Sequence, residues 1–134
     1  MTARTTTTDQ LHDLLQRIYF DGIDNADASA AAEAMHEDVE WIHTQVWEHD
    51  GHSRSKTDTL HGRESVREFL AARIKEMQIE GIKHQLRKVI TEGDTGAFRA
   101  EVVGPAGVSL AFFGWVEIKD EKIITYIVGP AGSP

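Results

Sequence analysis

The stretch His36-Glu37-Asp38-Val39-Glu40-Trp41-Ile42-His43-Thr44-Gln45-Val46-Trp47 is where the chain changes its period. From Val39 onward, Val39, Trp41, His43, Gln45 and Trp47 fall on one side of an extended backbone, and Glu40, Ile42, Thr44 and Val46 on the other. This is the two-residue repeat of a β-strand. Upstream the repeat is helical. Leu11, Leu14, Leu15, Ile18 and Tyr19 recur at three- and four-residue spacing behind Thr7 and Gln10, which are placed as a capping box, so a first helix is predicted over about 8–21. A break at Gly22 to Asn25 leads to Asp27, a good N-cap, and to the Ala-rich run ASAAAEAMH, which predicts a short second helix.

Downstream, EHDGHSRSKTDTLHG is polar and carries no apolar period, so residues 48–61 are expected to form a long surface loop. From Gly62 to about Met77 the stripe Val66, Phe69, Leu70, Ile74 and Met77 predicts a third, amphipathic helix. Four strands follow, Ile82 to Ile90, Thr95 to Val103, Val108 to Ile118 and Lys122 to Val128. Short turns at Glu92-Gly93-Asp94, Gly104-Pro105-Ala106-Gly107 and Lys119-Asp120 make them an antiparallel meander. Helices first and strands after predict an α+β domain over residues 1–134, a curved antiparallel sheet wrapping N-terminal helices, with flexible tails at 1–7 and 130–134. Strand Val108 to Ile118 is apolar on both faces, so a second copy of the chain is expected to cover its outer side as a homodimer.

Composition narrows the function. Fourteen Lys and Arg against 22 Asp and Glu leave a net charge of −8, which disfavours nucleic acid and anionic membranes as partners. The chain has no cysteine, which rules out disulfides and thiolate metal sites. No apolar run approaches the ~20 residues that span a bilayer, and MTARTTTTDQ does not resemble a signal peptide, so a cytoplasmic protein is expected. His49 and His52, with Glu48 and Asp50, share a spacing too common in polar loops to imply a metal. No nucleophile elbow, phosphate-cradling loop or dinucleotide fingerprint is present, so no cofactor is implied.

The entry to the first strand, His36-Glu37-Asp38-Val39-Glu40-Trp41, and the opening of the third helix, His61-Gly62-Arg63-Glu64-Ser65-Val66-Arg67-Glu68-Phe69-Leu70, resemble the ketosteroid-isomerase-like superfamily. It is also called SnoaL-like or nuclear-transport-factor-two-like. The closing FFGWVEIKDEKIITYIVG resembles its terminal hairpin, and the likeness runs from about Asp9 to Gly129. The resemblance implies a cone-shaped, cystatin-like α+β roll around an internal pocket. It leaves the chemistry open, because isomerases, polyketide cyclases, dehydratases, epoxide hydrolases and binding proteins share the fold.

His43 is the leading candidate for catalysis. It falls where the resemblance places the catalytic Asp of steroid isomerases, and a neutral imidazole accepts protons at neutral pH. The alternative is a core histidine hydrogen-bonded within the strands. Tyr19, on the stripe of the first helix, matches a Tyr that donates to an oxyanion in related isomerases; packing is its other reading. Arg99 and Glu101 share one strand face and resemble the Arg-x-Asp of limonene epoxide hydrolases, although the carboxylate that branch needs on the last strand is here Val128. Trp41, Trp47, His84, Phe113, Trp115 and Tyr126 are candidates to line a pocket for a flat hydrophobic ligand, or to fill an ordinary core. The sequence thus points to a cofactor-independent isomerase, lyase or cyclase acting on a small hydrophobic carbonyl or hydroxylated compound, or else to a non-catalytic binding or dimeric accessory protein of the same fold.

Overall fold

Thr7 closes the first turn of the N-terminal helix. Its hydroxyl accepts from the Gln10 amide at 3.1 Å, and the Gln10 side chain accepts from the Thr7 amide at 2.9 Å, completing the capping box. The computed structural model describes residues 7–44, 57–104, 107 and 109–131, without the side chains of 76–80. Within it, α1 (Thr8–His12) continues into a π-helical segment, Asp13–Phe20, and then into α2 (Asp21–Asp24). Nothing in the sequence announces the wider π turns, which contain neither Gly nor Pro.

Gly22 was expected to end this helix and instead lies inside it. A Cβ there would sit 2.6 Å from the Ala31 backbone nitrogen, so the missing side chain is what lets α3 (Ala28–Ala32) cross so closely. Asp27 caps α3 by accepting from the Ala30 amide at 3.0 Å. The amphipathic α4 (Arg63–Glu80) then packs against α3 and the sheet.

Six strands form one sheet in the order β2-β1-β6-β5-β4-β3. They are β1 (Met35–Thr44), β2 (Thr57–His61), β3 (Lys83–Glu92), β4 (Thr95–Val103), β5 (Ser109–Lys119) and β6 (Lys122–Pro130). The meander β3 to β6 is antiparallel as expected, whereas β1 runs parallel to β6. Strand β2 occupies part of the segment read as loop; it pairs antiparallel with β1, His43 opposite Asp58. Its burial alternates only between exposed and half-buried, so no apolar period could mark it. Residues 45–56, including Trp47 and the His49/His52 group, lie outside the described residues, as do 1–6 and 132–134 of the tails.

The core lies between the helices and the concave face. Leu15 and Phe20 from the first helix, Val66 and Leu70 from α4, and Phe98 and Phe112 from the sheet are all buried there. Each such side chain contributes about 1.5–3 kcal/mol. The outer face differs: Ile90, Phe113, Trp115 and Ile127 are 59%, 53%, 47% and 39% exposed. No helix of the described residues is long and apolar enough to cross a membrane.

The close crossing at Gly22 yields a stability test. Gly22→Ala places its methyl group against backbone, which has no rotamer to change, and is expected to cost roughly 2–3 kcal/mol. Gly93→Ala, in open space at φ +61°, is expected to cost about 1 kcal/mol. Urea unfolding that ranks the two in the opposite order would contradict this packing.

Candidate functional site

The site is built on a stack of rings. Trp41 and His43, two residues apart on β1, lie face to face with centroids 5.1 Å apart and planes 4° apart. Tyr126, the β6 register partner of Trp41, stacks near Trp41 at 6.1 Å and 10°. Phe69 of α4 tilts against Trp41 at 5.1 Å. The column is fixed to the first helix by one hydrogen bond, in which the Trp41 indole N–H donates to the Tyr19 hydroxyl at 3.0 Å. The Tyr19 and Tyr126 rings pack at 5.1 Å, and burial, the dominant cause, raises both phenols well above their ordinary pKa. Both therefore stay protonated at any physiological pH.

His43 ends the column. Its Nδ1 is buried without a hydrogen-bond partner among the described residues, and so is Oδ2 of Asp58, its partner across the β1–β2 ladder. Directly opposed residues of a ladder point to the same face, so both groups look inward. Arg73 of α4 stands behind them, with Nη2 3.7 Å from Asp58 Oδ2 and its guanidinium 4.8 Å from the centre of the Phe69 ring. Burial, then the Arg73 charge and then His84, lower the His43 pKa to about 4. On the other side, the register neighbour of His43 on β6 is Val128, an apolar, buried wall.

His84 sits at the neighbouring end of the first helix and within electrostatic reach of His43. Asp24 holds it at both ends of its carboxylate: Oδ2 accepts from the His84 amide at 2.7 Å, and Oδ1 lies 2.7 Å from the ring Nδ1. Because a carboxylate only accepts, Nδ1 carries the proton that faces Asp24. Phe20 stacks on the imidazole at 5.5 Å and 13°. Gln16 completes the arrangement, its Nε2 donating to the His84 carbonyl at 3.2 Å and its Oε1 accepting from Leu86 N at 2.6 Å. It thereby occupies the free edge of β3 as a further strand would.

The structure thus brings together five of the residues singled out from the sequence, His43, Tyr19, Trp41, Tyr126 and His84. It places Arg99, Glu101, Phe113 and Trp115 elsewhere. Phe98, Ala100 and Val102 point inward from β4, so Arg99 and Glu101 point outward, where Arg99 faces Phe113 on the next strand. Glu101 accepts from Ser109 Oγ at 2.7 Å and lies near Arg87 and Arg99, and these partners hold its carboxyl below the usual range. Asp58, Arg73, Asp24 and Gln16 went unread in the sequence. Asp58 lay in an apparent loop and Asp24 in an apparent helix break; the β-branched alternation Thr57, Thr59 was the only sign of the first. Among the described residues, no three His, Asp or Glu side chains are grouped to hold a metal. An open cleft of about 450 Å³ beside α4, lined by Ala26, Ala28, Ala71, Ile74 and Lys75, contains neither imidazole.

Solved structures with this architecture include a cystatin-like protein of unknown function from Methylobium petroleophilum, with TM-score 0.69 and 12% identity over 98% of this chain and 82% of that one. A candidate ketosteroid isomerase from Kribbella flavida has TM-score 0.63 and 18% identity over 96% of this chain and 83% of its own. A limonene-epoxide-hydrolase-like epoxide hydrolase of M. tuberculosis has TM-score 0.61 and 16% identity over 92% and 84%. At such identities the likeness is one of fold. No curated protein matches the sequence significantly. The model of the SnoaL-like domain family matches residues 16–126, which carry every element of the ring column and both imidazoles, and the chain belongs to that family.

Proposed function

We propose that the protein is a cofactor-independent enzyme of the isomerase or lyase type that moves a proton on a small hydrophobic carbonyl or hydroxylated compound, with His43 as its base. The observation that carries this reading is the buried, unpartnered Nδ1 of an imidazole held neutral by its surroundings. A ring with a pKa of about 4 is unprotonated at neutral pH, so its lone pair is open to a substrate proton, and it gives that proton back promptly because its charged form is disfavoured; the same shift makes it a weaker base than a free imidazole. That suits transfer from one atom of a substrate to another. His84, oriented by Asp24, is the second proton-handling group, and Tyr19 acts as a positioning residue by holding the Trp41 ring on which His43 stacks. Arg99 and Glu101 have no part in the step, since both lie on the outer face. A cytoplasmic setting is part of the same reading, consistent with a chain free of cysteine.

A hydrophobic, enolisable ketone such as 2-tetralone tests the proton transfer. In deuterated buffer the protein is expected to accelerate exchange of its α-protons, followed by NMR, and His43→Gln to reduce that rate by about 10²–10⁴-fold. Exchange no faster than with free imidazole, or unchanged in His43→Gln, would favour a protein that only binds its ligand.

Acid titration tests the environment of His43 separately. Folding lowers the pKa from 6.5 to about 4, so the unfolded chain takes up this proton first. The contribution to stability is complete above pH 6.5 and is lost as the pH falls toward 4. The urea midpoint of His43→Gln is therefore expected to fall less over that window than that of the parent, and parallel curves would show the imidazole to be solvated.

The outer face supports the second part of the proposal, a homodimer through the sheet. Phe113, Trp115 and Ile127 form an exposed apolar patch on adjacent strands, with Arg99 and Glu101 beside it supplying both signs of charge, a mixture that a two-fold axis can match to itself. Sedimentation at micromolar concentration is expected to give twice 14.9 kDa, and Trp115→Glu to give the single chain. A parent that sediments as one chain would refute the dimer.

A further inference from the structure

We propose that Asp58 is a ligand-binding residue, and that its Oδ2 and the Nδ1 of His43 together receive one hydroxyl group of the ligand. The inference deepens the proposed function and rests on its reading of His43 as the group that faces the ligand. Asp58 and His43 are opposed on the β1–β2 ladder, and each has a buried polar atom without a hydrogen-bond partner among the described residues. Buried polar atoms are paired in most folded proteins, so two orphans side by side point to a shared external partner. Arg73 does not fill that role, because its Nη2 stands 3.7 Å from Oδ2, an ion pair beyond hydrogen-bond length.

The chemistry of the two atoms selects the partner. A carboxylate only accepts, so whatever meets Asp58 Oδ2 must bring a hydrogen. The neutral imidazole offers at Nδ1 either a lone pair or an N–H. In the tautomer with the N–H at Nδ1 a hydroxyl answers both, donating to the carboxylate while its oxygen accepts from the ring, and an ether or ketone oxygen cannot do so; the tautomer with the lone pair at Nδ1 is the one that acts as base. A ligand carboxylate fits worse still. It would face the Asp58 charge directly, while the Arg73 charge is already shared between Asp58 and the face of Phe69. Val128, Trp41 and Phe69 supply apolar walls around the same point. The ligand class is therefore an uncharged, flat hydrophobic alcohol, phenol or enol.

Calorimetric titration with 2-naphthol, 2-methoxynaphthalene and 2-naphthoate tests this at equilibrium, without turnover. The parent is expected to bind 2-naphthol roughly tenfold or more tightly than the methyl ether, the gain typical of a hydrogen bond to a charged group, and to bind 2-naphthoate most weakly. Asp58→Asn keeps the shape but removes the charge, and is expected to bring the naphthol-to-ether ratio close to one. Retained binding of the ether would show that the variant is folded and still takes up the ring system. A ratio unchanged in Asp58→Asn, a parent that prefers 2-naphthoate, or no binding of 2-naphthol at its solubility limit would each overturn the proposal. Should ketone exchange depend on His43 while no naphthol preference exists, this inference alone fails. The preference without exchange would leave Asp58 as a binding residue and remove the acid–base reading.

Discussion

One hydrogen bond, from the Trp41 indole to the Tyr19 hydroxyl, ties the helical layer to the sheet at the point on which the site is built. A buried indole N–H without an acceptor costs about 1–3 kcal/mol, so the bond constrains both partners. It sets the height of the first helix against β1 and fixes the plane of the Trp41 ring. Tyr126 and His43 then take their orientation from that plane, one on the neighbouring strand and the other two residues along β1. His43 is thus positioned through packing and not through a polar partner of its own. Its Nδ1 is left for something else.

The far side of the site follows the opposite principle. Asp24 and Gln16 satisfy β3 almost as another strand would, with backbone atoms of His84 and Leu86 bonded to helix side chains. The π-helical winding carries Gln16, Tyr19 and Phe20 along one segment, where all three contact the site or its supporting edge. Wide turns of this kind recur where a helix must present side chains to a functional site. The two imidazoles therefore differ by construction. One is locked by a carboxylate with its Nδ1 committed, and the other is stacked, buried and uncommitted.

How much of this was legible in the sequence depended on whether a residue took part in a repeat. The strands of the meander, the capped helices and the inward side of β1 were readable because period and cap chemistry are local properties. The same two-residue period put Trp41 and His43 on one face of β1, while the family resemblance singled out His43 and ring size singled out Tyr126. It could not tell which side of β4 met the helices, since Phe98-Arg99-Ala100-Glu101 alternates equally well in either register. Arg99 and Glu101 became candidates because they share one strand face and resemble an Arg-x-Asp pair, and the period alone could not show that this face is the outer one. Asp58 was hidden because β2 is held by its ladder to β1 and not by an apolar stripe, and Asp24 because Gly22 reads locally as a stop. That glycine acts through a close approach to Ala31, which no local pattern records.

The adjacent rung of the β1–β2 ladder shows what a purely structural solution looks like. Thr44 and Thr57, opposed one position beyond His43 and Asp58, join their hydroxyls at 2.8 Å and leave nothing unpaired. The His43–Asp58 rung has polar side chains of comparable reach, yet neither buried atom finds a hydrogen-bond partner among the described residues. Two such atoms cost about 1–3 kcal/mol each, which a pair of apolar residues at these positions would avoid. Arg73 limits that cost by compensating the Asp58 charge, but at a distance that leaves Oδ2 open to a donor. The ladder thus combines a closed rung that holds β2 in register with an open rung that forgoes stability, and that open rung faces inward, where the ring column ends.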